Sequence, residues 1–454
     1  MKILLVRPPR RDRRDVSLAV PPLGLAYLAG ALRDAGHRVQ LLDARAEDVG
    51  WGQIGGRISA AGADLVGITA TTPVRDLAAR AAQAARPHCR WLVLGGPHPT
   101  AVGAAVFDEV PGLDVSVQGE AEISGPAAVA WLADGSRGAP PPGVRAPGRA
   151  YVSSAPPQQL DRLPAPARDL LPRRGYRHLL ATRTPMATVI SSRGCPHFCT
   201  FCDRGVGGSS WRARSAEHVL DELEQLVGAG VRFVHFYDDN FTHDPQRVGA
   251  ICEGILSRGL DLRWNCEARV DGVDAHLLGA MRRAGCSLVA FGVESAWAPT
   301  LQALGKGFER GAVELAFQRA RAAGLRTLAY AILGAPGEGP AQVDATLRFC
   351  QHLRADFVQF STLCVLPGSQ LAGQAHEVAD VRSFIDADLE RAVVSDLPPE
   401  ELARWLRRAW GGFYLRPSAA LRLGRAAALS GAWRESHRVA GAAAAWWLEA
   451  ATRT

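Results

Sequence analysis

Apolar and polar positions along this chain alternate between two rhythms. Residues 2–6 form a short apolar run, the mark of a strand buried on both faces. Residues 23–34 then place Leu25, Leu28, Ala29 and Leu32 at helical spacing and stop before Gly36. Further short strands are expected at 39–42, 63–69, 91–94 and 115–118, with an alanine-rich helix at 74–85. Strand and helix in regular alternation over 1–135 predict an α/β domain with a doubly wound parallel sheet. Periodicity then lapses over 136–185, where Pro, Gly, Arg and Ala dominate, with prolines at 140–142 and 156–157. That is linker composition.

The pattern resumes at Met186. Strands are expected at 187–192, 231–237, 263–268, 287–293, 326–333 and 357–365. Helical patterns lie between them, such as Leu277, Leu278, Met281 and Ala284, with stops at Gly230, Gly285 and Gly324. Six such units over 186–372 predict a partial (β/α)6 barrel of the TIM type, working at the carboxyl ends of its strands. Residues 373–454, rich in Ala, Arg and Trp, read as a helical region capping the barrel.

Composition narrows the picture. With 454 residues, 47% hydrophobic and 21% charged, the chain has the core of an ordinary globular protein of two or three domains. The net charge is +7 and nearly all arginine, since lysine occurs only at positions 2 and 306. Basic residues are dense only over 7–14 and aromatics make up 7%, so nucleic acid is not the expected partner. Nine cysteines in this length are not a disulfide framework. The start of the chain does not read as a secretory leader, and no apolar run reaches ~18 residues, so a cytoplasmic location is expected. Trp433, Trp446 and Trp447, beside arginines, leave peripheral membrane contact as the alternative to packing on the barrel.

The densest chemistry lies at Cys195, Cys199 and Cys202, spaced C-x3-C-x2-C just after the strand expected at 187–192. Three thiolates in one loop suit three irons of a [4Fe–4S] cluster and leave the fourth iron open. Structural zinc closes its site with four ligands, and neither His197 nor His218 stands at a usual spacing to complete one. In the amino-terminal domain, Gly95 and Gly96 permit close approach of a large ligand, and Thr69, Thr71 and Thr72 offer hydroxyls on the same rim. On residues alone, a nucleotide would suit that rim as well.

A strand followed by C-x3-C-x2-C, with Phe201 before the last cysteine, resembles the radical S-adenosylmethionine (SAM) superfamily. The segments at 21–30, 68–72, 95–100 and 119–122 resemble the cobalamin-binding domain, flavodoxin-like in fold, that precedes many of these enzymes. A methylthiotransferase-type front end would carry its own cluster cysteines, and residues 1–190 contain only Cys89. The resemblance implies a [4Fe–4S] cluster on Cys195, Cys199 and Cys202, with SAM chelated at the open iron. For SAM it implies contacts at Asp238, Asp239 and Asn240, at Glu267 and Arg269, at Glu294 and Ser295, and at Gly334. An internal Glu267–Arg269 pair is the structural alternative for the third strand. For cobalamin it implies Leu23, Thr69, Thr71, Thr72, Gly95, Gly96, His98, Thr100, Gly119 and Glu120.

The family's Asp-x-His-x-x-Gly motif is missing after the first strand, so no histidine is expected on cobalt, and His98 is placed beside the nucleotide tail. Lys306 is expected on a surface turn, and Cys252, Cys266, Cys286, Cys350 and Cys364 as packed thiols. The segment at 413–418 also resembles one in cobalamin-dependent members. Reductive SAM cleavage to a 5′-deoxyadenosyl radical, fed by a donor such as flavodoxin or ferredoxin, is the implied chemistry. The implied activity is C-methylation of an unactivated carbon of a small molecule, with oxidative cyclisation or rearrangement as the alternative and a non-catalytic sensor as the third reading.

Overall fold

The computed structural model describes residues 1–12, 15, 19–374, 377–379, 391–393 and 395–435. The first sheet holds β1 (Lys2–Arg7), β2 (Arg38–Asp43), β3 (Leu65–Thr69), β4 (Trp91–Gly95), β5 (Val115–Val117) and β6 (Val144–Arg145). Their order is β2-β1-β3-β4-β5-β6. All neighbours are parallel except β5 and β6. Alternate side chains serve opposite faces. Leu4, Val6, Val66, Ile68, Leu92 and Leu94 share a core with residues of Trp51–Ala61 and Arg75–Ala85. Ile3, Leu5, Leu65, Val93 and Val115 meet Leu23–Asp34 and Ala121–Ala133 on the other face. The order reverses between β2 and β3, on either side of β1, which opens a crevice at the carboxyl ends of the strands.

β6 comes from the segment expected to be linker. It pairs antiparallel at the sheet edge because Val144 is buried there and the Gly143 carbonyl accepts from the Gln118 amide at 2.8 Å. Further along, residues 160–171 form a strap rather than a free tether. The Ala167 amide donates to the Ala26 carbonyl at 2.8 Å, and Arg168 pairs with Glu222 at 2.6 Å.

The second sheet contains β7 (Met186–Val189), β10 (Phe233–Phe236), β11 (Arg263–Ala268), β12 (Cys286–Glu294), β13 (Arg326–Leu333) and β14 (Phe357–Thr362). A small antiparallel ribbon, β8 (Ser192–Arg193) with β9 (Arg212–Ala213), intervenes. The order β14-β13-β12-β11-β10-β7 is entirely parallel, an open six-stranded barrel. The strand expected at 187–192 therefore ends early, and Ser192 belongs to the ribbon at the base of the cysteine loop. Cys252, Cys266, Cys286 and Cys350 are packed in the core between strands and helices, while Cys364 is half-buried.

Among the described residues, the carboxyl-terminal region holds the helices Pro399–Tyr414 and Pro417–Ser430. An antiparallel pair, Glu377–Ala379 with Arg391–Val393, also lies where helix was expected. The first helix covers the open edge of β14. The Tyr414 hydroxyl accepts from the Val358 amide at 3.0 Å and donates to the Val358 carbonyl at 2.8 Å. At the opposite edge, Arg168 of the strap donates to the Thr188 carbonyl of β7 at 2.7 Å. Among the described residues, no helix is long and apolar enough to cross a membrane. Trp446 and Trp447 lie outside the described residues.

Candidate functional site

The cysteine loop leaves the ribbon at Gly194, whose φ is +80° and whose Cβ, if present, would fall 2.4 Å from the Ser210 carbonyl oxygen. Only glycine fits there. Its amide donates to Asp239 Oδ2 at 3.1 Å, and the Thr200 amide to the Leu304 carbonyl at 3.1 Å. Cys195, Cys199 and Cys202 carry free thiols and edge a cavity of about 460 Å³. Burial pushes the Cys195 thiol up, and bound iron would reverse this by binding thiolate. Among the described residues, no three His, Cys, Asp or Glu side chains gather around a single ion site. A cubane makes no such demand, since each thiolate takes its own iron. Three unbridged thiols at the edge of one cavity fit that group.

Of the residues expected around SAM, Asp239, Glu267, Arg269 and Glu294 line this cavity. Asp238, Asn240, Ser295 and Gly334 do not. Asp238 is buried behind the strand end, where it accepts from the Ser191 amide (2.8 Å), Ser191 Oγ (2.6 Å) and Ser192 Oγ (2.5 Å). Asn240 is buried as well. Ser295 donates to Glu338 at 2.7 Å. Gly334 faces the tail, since a Cβ there would meet Leu402 at 2.7 Å. A string of adjacent polar residues at a strand end does not tell which of them turns inward.

Arg269 is forked onto Asp271 at 2.8–2.9 Å rather than paired with Glu267. Glu267 accepts from the Tyr330 hydroxyl at 2.9 Å, and burial, with Asp239 and Asp238 nearby, pushes its carboxyl up. Lys306 corrects an expectation, for it is buried at 7% exposure and pairs with Glu294 at 2.9 Å. Glu294 itself holds φ at +59°, a strained conformation for a non-glycine residue.

A second cavity of about 360 Å³ opens at the carboxyl edge of the first sheet. Thr69, Gly95, Gly96, Gly119 and Glu120 line it, as expected. Gly96, at φ +110°, lies where a Cβ would stand 2.8 Å from the Ala70 carbonyl oxygen. A floor of glycines suits a broad, flat ligand such as a corrin. Leu23, Thr71, Thr72, His98 and Thr100 do not line it. Leu23 is buried at the start of its helix, and its neighbours Gly24 and Leu25 line the wall instead. Thr71 faces a smaller cavity with Arg7 and Arg45. The buried His98 ring meets Thr72 Oγ1 at 3.2 Å and Glu109 at 2.5 Å, so both nitrogens are engaged. Thr100 braces the rim, donating to the Gly96 carbonyl at 2.8 Å and accepting from the Gly119 amide at 3.0 Å.

The two cavities share a wall of Pro97, Val206, Gly207 and Asp239. Around that wall the domains are joined by charge. Arg193 pairs with Glu120 and Glu122 at 2.6 Å each, and Arg212 also meets Glu120. Sequence reasoning missed Arg193, Arg212, Tyr237 and Tyr330. The readable signal for Arg193 was its place two residues before Cys195, opposite an acidic Gly-Glu-Ala-Glu loop.

Comparison with known proteins places both domains in families. Residues 189–350 match the radical SAM superfamily and residues 13–129 the B12 binding domain. An uncharacterised methyltransferase of Pyrococcus horikoshii is 34% identical over 437 residues, covering 93% of this chain and 94% of that protein. The anaerobic magnesium-protoporphyrin IX monomethyl ester cyclase of Rubrivivax gelatinosus is 28% identical, covering 85% of this chain and 72% of that protein. The structure of TsrM from Kitasatospora setae, a radical SAM methyltransferase with tryptophan and a SAM analogue bound, superimposes with a TM-score of 0.70 at 21% identity. That match covers 84% of this chain and 77% of TsrM.

Proposed function

The chain belongs to the radical SAM superfamily, among the enzymes that carry a cobalamin-binding domain ahead of the barrel, and we propose that it is a C-methyltransferase acting on an unactivated carbon of a small molecule. The observation that carries the proposal is the shared wall between the cysteine-edged cavity and the glycine-floored one. When bound, the [4Fe–4S] cluster with SAM supplies a hydrogen-abstracting radical, and cobalamin supplies a methyl group. Cys195, Cys199 and Cys202 would hold three irons, and Asp239, tied to Gly194, presents its carboxylate to both cavities. Arg269, fixed by Asp271, and Lys306, fixed by Glu294, place two cations in the cysteine-edged cavity at set positions. Such fixed charges orient a zwitterionic ligand without reorganising during the reaction. Glu267 and Tyr330 supply hydrogen-bonding groups in the same cavity for a substrate.

The substrate class we infer is a secondary metabolite, lipid or tetrapyrrole precursor. The electron donor is a flavodoxin- or ferredoxin-like protein, and the site of action is the cytoplasm. Oxidative cyclisation or rearrangement is the second reading, favoured by the 28% identity to the ester cyclase. SAM labelled in its methyl group, with reconstituted enzyme and candidate substrates, separates the two. Label in the product supports methyl transfer, and turnover to unlabelled product with 5′-deoxyadenosine moves the assignment to cyclisation. Replacing Cys199 by Ala should abolish iron loading and both outcomes.

A further inference from the structure

On the barrel face opposite the cysteines, the strands begin rather than end. Arg263 opens β11 there, Arg326 opens β13 and Phe357 opens β14. Arg422 and Arg425 of the helix Pro417–Ser430 lie against these strand starts. With Arg282 they line a cavity of about 560 Å³ that contains five guanidinium groups and one carboxylate, Asp356.

That carboxylate is already engaged, accepting from the Thr327 amide at 2.9 Å. Arg326 and Arg422 each spend Nε on a backbone carbonyl, of Ser287 and Asp356, at 3.3 Å. Nη2 of Arg326 is buried without a partner. The guanidiniums of Arg263, Arg282 and Arg425 make no hydrogen bond or ion pair among the described residues. Burial pulls the Arg326 pKa down; Asp356 opposes this, and the charge of Arg425 adds to it.

Clusters of arginine elsewhere in this chain gather acids around them. Arg258 meets Glu217, Asp221 and Glu224, and Arg168 and Arg214 meet Glu222. Against five cations stand two acids, Asp356 acting on Arg326 and Asp261 acting on Arg263, so the group is short of negative charge. Planar guanidinium forks match the paired oxygens of carboxylate and phosphate alike, and phosphate brings more charge to answer several cations at once.

We propose that this cavity binds a phosphate-bearing anion of two or more negative charges, clamping the carboxyl-terminal helix to the base of the barrel. The site lies at the end of the strands away from the metal loop, so its occupant is a structural or regulatory ligand rather than the substrate. The phosphate comes either from a soluble diphosphate or from a lipid headgroup, and exposed Leu421, Leu429 and Trp433 stand on the same stretch of chain.

Inorganic pyrophosphate titrated into the full chain is expected to bind saturably and raise the melting temperature, beyond the effect of sodium chloride at equal ionic strength. Arg263→Gln with Arg425→Gln should weaken binding at least tenfold. Arg425→Gln alone, at an exposed position, should weaken it severalfold in a chain of wild-type circular dichroism, and Arg310→Gln should change nothing. Capture by phosphatidic acid vesicles without pyrophosphate binding, lost in the double variant, supports the site with lipid as the source. No binding to either probe, equal stabilisation by sodium chloride, or unchanged binding in the double variant overturns the proposal.

Discussion

Glu294 and Lys306 each depend on the other, since both are buried and each is the other's counter-charge. Removing one partner of such a pair costs about 3–5 kcal/mol, because the survivor is left charged out of water. Lys306→Met should therefore lower stability by roughly that amount, and Lys306→Met with Glu294→Met should recover most of the loss. Urea denaturation of the singles and the double closes the cycle. Lys306 also shows how local reading falls short. Gly305 and Gly307, at φ +66° and +69°, do form the turn that Gly-Lys-Gly suggests. The turn is tucked beneath the cysteine loop, where a Cβ on Gly305 would sit 2.4 Å from the Phe198 carbonyl oxygen.

A stacked imidazole pair, His235 buried and His178 half-buried, contributes to the response to acid. His178 stacks on His235 with ring centroids 4.7 Å apart, and His235 Nδ1 meets Asn265 at 2.6 Å. Burial holds His178 at about 3 and lowers His235 as well. Below about pH 6.5 the unfolded chain takes up protons that the native rings refuse, so stability falls with pH. The decline reaches at most about 1.4 kcal/mol per pH unit per ring and continues down to pH 3 for His178. Melting temperatures between pH 7.5 and 5 should drop in the wild type and drop less steeply in His178→Leu.

Elements depend on side chains from outside themselves. Tyr414 satisfies both polar groups of Val358 on β14. Tyr414→Phe would leave both without that partner and should cost about 1–3 kcal/mol, with faster exchange of the Val358 amide, visible by hydrogen–deuterium exchange. The strap depends on Gly30, because a Cβ there would lie 2.2 Å from the Ala165 carbonyl oxygen. Strands of the two sheets were legible because each is a short apolar run. β6 was not, since Val144–Arg145 has only two residues and acquires its identity from β5. The cysteine loop was legible because its spacing is local. The inward turn of Asp239 and the outward turn of Asp238 depend on Ser191 and Gly194, which no periodicity reports.

For the whole molecule, the join between domains is a compact ionic knot. Arg193 ends β8 at the base of the metal loop and reaches Glu120 and Glu122 at the carboxyl edge of the other sheet. Arg193→Gln would leave Glu122, which is 8% exposed, without its cation, and buried pairs of this kind cost about 2–5 kcal/mol to break. Calorimetry should then resolve two unfolding events where the wild type shows one, and a single unshifted event would count against the coupling. The domain pair was foreseeable from motifs, but the knot was not, because its members stand 71 and 73 positions apart.

An incomplete barrel has two raw rims of amide and carbonyl groups. Here one rim is finished by a phenol that arrives after the barrel in the chain, the other by a guanidinium that arrives before it. The six-stranded unit therefore cannot be traded between proteins as a free-standing module. Cut out at 186–372, it would offer both rims to its own copies and self-associate through strand addition.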